Sequence, residues 1–147
     1  MDHFKYLYVN GDKVLTIDLD LVQHYFLQCR IYASSVMETI HRVQMGNDNF
    51  SQQFVDKLYV HWNDLKYYHE RIYDLKTEHP HLILLDTLIQ FSELTIDYAQ
   101  YHYTSSIHVL TNNWDEADVY SKKANEIIPI LNNVHIEFTH LYNQLVN

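Results

Sequence analysis

A chain of 147 residues with 47% hydrophobic and 20% charged side chains can bury one ordinary core and is too apolar to be disordered. Two glycines and two prolines are too few for the tight turns of an all-β fold, so long helices with short connections are expected. The formal charge of −9 sets the chain against nucleic acid: no Lys or Arg falls between Lys76 and Lys122, whereas Glu78, Asp86, Glu93, Asp97, Asp115, Glu116 and Asp118 do.

The first element is a β-hairpin over residues 4–17. Asn10-Gly11 separates two β-branched and aromatic runs, and both residues tolerate the positive φ of a type I′ turn. That turn pairs Val9 with Asp12, Leu7 with Val14, and Phe4 with Ile17. Two strands alone are marginal in water, so the hairpin is expected to dock on the helices or on another subunit, its own bundle before any other.

Four helical segments follow. The first, residues 19–45, takes Asp18 or Asp20 as its cap and repeats Val22, Phe26, Cys29, Ala33, Val36, Ile40 and Val43 at steps of four and three. Gly46 ends it. Ser51 caps the second, residues 51–76, with Phe50 and Val55 as a hydrophobic staple and Phe54, Leu58, His61, Leu65, Tyr68, Ile72 and Leu75 as its stripe. Pro80 suits the first turn of the third, residues 80–111. This segment alone has two adjacent stripes. One runs Leu85, Ile89, Ser92, Ile96, Ala99, Tyr103, Ser106, Leu110; the other runs Leu84, Leu88, Phe91, Thr95, Tyr98, His102, Ser105, Val109. The fourth, residues 114–146, is capped by Asn113, and nine consecutive stripe positions from Ala117 to Leu145, at steps of three and four, carry no charge, with Pro129 on the opposite face. Connections of two to five residues force neighbouring helices antiparallel. The expected fold is therefore all-α, a single domain over residues 1–147: an up-down-up-down four-helix bundle with a short N-terminal β-hairpin.

Helical bundles often hold metals, and 11 histidines make the question pressing. Glu38–His41 and Glu137–His140 have the Glu-x-x-His step of dinuclear sites. Antiparallel packing sets them on the order of 20 Å apart, and Glu38 lies off its stripe. His61 and His102 are better placed, on stripes that should face each other near mid-bundle, with Tyr32, Ser35 and Asn125 at that height. They read first as a buried polar layer fixing helix register, and second as a weak site for a metal or small ligand. His24, His69, His135 and His140 gather toward the hairpin end and by phase face outward. Nucleophilic motifs are absent: there is no Gly-x-Ser-x-Gly, Gly11 and Gly46 cannot build a phosphate loop, and Cys29 sits on an apolar stripe.

No cofactor is called for, and the chain is expected not to be an enzyme. The leading expectation is a regulator, inhibitor, immunity or adaptor type of protein that binds another protein, one with a basic surface. Glu93, Asp97, Asp115, Glu116 and Asp118, with Tyr59, Tyr67 and Tyr73, are its candidate contacts. Taken alone, the acidic residues read first as a solvated face, and the tyrosines as rim residues. The alternatives are a bundle enzyme or sensor built around His61 and His102, and a structural homodimer joined by the hairpin or the tyrosine faces. A single cysteine fits a reducing compartment, and Asp2, Lys5, Asp12 and Lys13 interrupt any signal sequence, so a cytoplasmic location is expected. No window of about 20 residues is apolar enough to span a bilayer. The Asn-, Tyr- and Ile-rich composition is in the style of a low-GC bacterium or its phage.

Overall fold

The computed structural model describes residues 4–9 and 12–146, with side chains from residue 17 onward. Two strands, β1 (Phe4–Val9) and β2 (Asp12–Asp18), precede four helices: α1 (Leu19–Gln44), α2 (Gln52–Glu78), α3 (Ile83–Leu110) and α4 (Trp114–Val146). The chain is an all-α four-helix bundle with an antiparallel hairpin at its N-terminus.

The hairpin register holds at Val9↔Asp12 and Leu7↔Val14 but shifts between Lys5 and Leu7. Phe4 consequently pairs with Asp18, not with the expected Ile17, and Ile17 faces Lys5. The extra residue lies in β2, a bulge that spacing about a two-residue turn cannot reveal. The Asn10-Gly11 turn and the face that the hairpin presents lie outside the described residues. Ile17, the last of the strand's apolar positions, is buried with Leu19 in the bundle core.

Helix ends follow local chemistry. Asp18 accepts from the Leu21 amide at 3.1 Å, and Ser51 from the Phe54 amide at 3.3 Å, each relieving one unpaired donor of a first turn. Phe50 meets the Phe54 ring at 5.1 Å. Gly46 (φ 78°) and Asn112 (φ 59°) supply the left-handed residue that ends α1 and α3. In both, the next amide reaches back to close the helix: Asn47 to Arg42 O at 2.9 Å, Asn113 to His108 O at 2.8 Å.

The third helix begins three residues later than expected. Pro80 is not in its first turn. It occupies the second position of a turn closed by the Leu82 amide on His79 O at 3.2 Å, where its fixed φ is equally suited. Lys76 secures this corner by donating to Pro80 O at 2.6 Å and pairing with Asp86 at 2.7 Å.

α3 is the central helix, packed on α4, α2 and α1. Both of its stripes turn inward: Leu84, Leu85, Leu88, Phe91, Ser92, Thr95, Tyr98, Ala99, His102 and Ser106 are buried, Ile89, Ile96, Tyr103, Ser105 and Val109 are half-buried, and Leu110 at the end is exposed. All nine stripe positions of α4 are buried or half-buried, and Pro129 is exposed. Small side chains at Ser92, Ala99 and Ser106 on α3, and at Ala117 and Ala124 on α4, are all buried and leave room for neighbouring backbones. Ser105 Oγ reaches the α4 carbonyl of Ala117 at 2.7 Å.

α1 and α4 meet chiefly through aromatic rings. Phe26 stacks on Phe138 with centroids 4.0 Å apart and lies 4.7 Å from Phe91. Tyr142 donates to Leu19 O at 3.5 Å. Removing the ring that joins three helices is expected to cost about 3–5 kcal/mol. A urea titration of Phe26→Ala should show that loss, and a loss under about 1 kcal/mol would mean that the α1–α4 junction is not closed as described.

Candidate functional site

The steps 86, 90, 93, 97, 100 and 104 trace the outer stripe of α3, opposite its buried ones, and place Asp86, Gln90, Glu93, Asp97, Gln100 and Thr104 on one line. Asp86 is neutralised by Lys76. Glu93 and Asp97 are neighbours one turn apart, and among the described residues neither has a cation within 4 Å. Partial burial raises the Asp97 carboxyl above the usual carboxylate range, and the Glu93 charge adds to it. Like charges at this spacing oppose folding, so the helix keeps them at a small cost.

Aromatic groups border this stripe on both sides. Toward α2, Tyr59, Trp62 and Tyr103 cluster, with Trp62 and Tyr103 stacked at 5.5 Å and Lys66 Nζ 4.0 Å from the Trp62 ring centre. Toward α4, Tyr120 stacks on His108 at 5.6 Å and lies 6.2 Å from Tyr101, with Lys123 over both tyrosines. Stems and rings cover the helix seams, and the Trp62 indole Nε1 is buried without a hydrogen-bond partner.

The structure divides the expected contact set. Glu93, Asp97 and Tyr59 share the neighbourhood of the α3 stripe. Tyr73 stands on the same edge of α2 as Tyr59, beside His69 and about 21 Å further along by helical rise. Tyr67 turns to the other edge, against Tyr68 at 5.2 Å, with Arg71 over its ring. Asp115, Glu116 and Asp118 are exposed at the start of α4, where they favour the helix N-terminus. Asp118 is paired with Lys122 at 2.8 Å. Lys122 and Lys123 thus lie between the two acidic groups, which a count along the chain does not convey.

His61 and His102 have different ring neighbours. His61 lies half-buried toward α1, 6.0 Å from Tyr32, and its Nδ1 has no hydrogen-bond partner. His102 is buried beside Tyr98 at 4.8 Å, and burial pushes its pKa down to about 4. Glu38, His41, Glu137 and His140 are exposed. Among the described residues no three His, Cys, Asp or Glu side chains come together as a metal would need. Asn125 is exposed and Ser35 spends its hydroxyl on Ile31 O at 2.9 Å.

Two of the histidines read as outward are not on the open surface. His135 is half-buried, edge-on to Phe26 at 5.2 Å. His69 is half-buried with its Nδ1 2.7 Å from Ser92 Oγ. Ser92 donates to Ile89 O at 2.8 Å, so Nδ1 is the donor and Ser92 the acceptor. This Ser–His pair has no nucleophilic use, because Ser92 is fully buried. Equal distances of His69 and Ser92 from the α2–α3 turn were the available signal. Cys29 is likewise inert: burial pushes its thiol up to about 12.

No family model matches the chain, and no curated protein or solved structure shows significant similarity to it. No helix among the described residues is long and apolar enough to cross a membrane.

Histidine burial fixes a pH response. His102 titrates near 6.5 when unfolded and near 4 in the fold, so only the unfolded chain takes up this proton as pH falls between those values. His61 and His135 are displaced in the same direction by burial. Stability should be full above pH 6.5 and fall by roughly 3 kcal/mol on approach to pH 4 from His102 alone. Urea unfolding at a series of pH values tests this: His102→Leu should flatten the acid limb, and an unchanged limb would refute the assignment.

Proposed function

We propose that this chain is a non-catalytic interaction protein, a small acidic helical bundle that docks on a protein with a basic surface, as inhibitors, immunity proteins and adaptors do. The supporting observation is the Glu93–Asp97 pair: two carboxylates one turn apart, without a cation, on a central helix between aromatic borders. Elsewhere the same fold neutralises exposed acids, as in Asp48 with Arg42 and Asp118 with Lys122. A pair left uncompensated at a cost to folding is accounted for if a cationic partner completes it. The flanking tyrosines and Trp62 add broad, rigid contact area of the kind enriched where proteins bind proteins.

The double variant Glu93→Gln, Asp97→Asn separates this reading from a merely solvated face. Relief of repulsion should leave the isolated variant as stable as wild type or more so by about 0.5 kcal/mol, a rise of about 1–2 °C in melting temperature. Affinity capture from the native host should recover a basic protein with wild type, lose it at high salt, and lose it with the variant. Salt-insensitive capture, or equal capture by the variant, would refute the assignment of this face.

A further inference from the structure

Beyond the ring junction at Phe26, α1 and α4 do not pack along their length: α4 lies on α3, and α1 on α2 and α3. The gap is a groove of about 170 Å³ with Phe91 and Tyr98 of α3 as its floor. Ala33, Ser34 and Met37 form one wall, and Ile128, Leu131, Asn132 and His135 the other. Arg30 stands at its rim, its guanidinium carbon 5.9 Å from the Phe26 ring centre.

Two observations define what fits. The first is size: the groove, open to solvent on one side, has about the volume of a cavity that takes one benzene ring, so a single aromatic ring fits it. The second is charge. Among the described residues Arg42 and Arg71 are paired with carboxylates, and Arg30 is the arginine that is not. A guanidinium free of carboxylate, at the edge of an apolar slot, in a chain of net charge −9, is the anchor a planar carboxylate requires. Asn132 and Ser34 add polar groups at the walls, in the usual pattern of an apolar site with a few orienting contacts.

We propose that the α1–α4 groove binds a small aryl carboxylate, its ring on Phe91, Tyr98 and Leu131 and its carboxylate on the Arg30 guanidinium. The site is independent of the α3 stripe and of any protein that docks there.

Phenylacetate and its neutral counterpart 2-phenylethanol are the probes, followed by amide chemical shifts of the full chain. Phenylacetate should shift Arg30, Ser34, Leu131 and Asn132 saturably at millimolar concentration. Phenylethanol should bind about tenfold more weakly, and Arg30→Gln should weaken phenylacetate about tenfold while leaving phenylethanol unchanged. Ala33→Phe fills the groove and should abolish both, with the remaining amide spectrum preserved as evidence of folding. Absence of saturable shifts, shifts confined to other faces, or unaltered phenylacetate binding by Arg30→Gln would overturn the proposal. So would groove shifts that appear on dilution without ligand, because they would assign the groove to a second copy of the chain.

Discussion

The structure depends on α3 having to hide two adjacent apolar stripes at once. A helix with one stripe can be satisfied by a single neighbour or a shallow groove. With Leu84, Leu88, Phe91, Thr95 and Tyr98 on one side and Leu85, Ser92, Ala99 and Ser106 on the other, α3 needs neighbours on both flanks and across its middle. It therefore becomes the centre, and the other helices take their positions from it. The small residues of the second stripe decide how near they come. Thr95 and Ser92, both fully buried, spend their hydroxyls on carbonyls of their own helix, which keeps the polar cost low.

A central α3 has a consequence for its partners. Helices α2 and α4 occupy its flanks, and α1 bridges toward the third side, where it reaches α4 only where large rings span the distance. Phe26 fills that role, placed between Phe91 and Phe138. A turn or two along, α1 offers Ala33 and Ser34, which are too small to close the gap, and a groove is left. The bundle is tight where its stripes carry bulk and open where they do not.

The remaining face of α3 is the other product of this arrangement. A helix enclosed on three sides presents one narrow line to solvent, so its polar residues are concentrated and aligned. That alignment brings Glu93 beside Asp97 and sets both between the aromatic groups of the two flanking seams. Helices α1, α2 and α4, each buried on one side only, spread their charges more widely and pair several of them locally, as Arg42 with Asp48 and Lys122 with Asp118 do. Two features that differ in chemistry, an anionic line and an apolar slot with a cation, thus arise from one packing decision and occupy different sides of the bundle.

The sequence by itself determined the number and phase of the helices, their antiparallel order, and most of their ends. These are consequences of local spacing, of Gly46, of Asp18 and Ser51, and of short connections that leave no other path. Spacing along one helix says which residues face inward but not how far inward the neighbours come. Only the tertiary structure decided that His61 turns to Tyr32 while His102 lies against Tyr98, that His69 reaches Ser92, and that Asp118 is separated from Glu93 by two lysines. It also decided the β2 bulge and the start of α3 after Pro80, where the turn closed by Leu82 on His79 takes up the proline. Phase is a property of one helix, whereas contact depends on the separation and rotation of two, and side-chain volumes from both set those quantities.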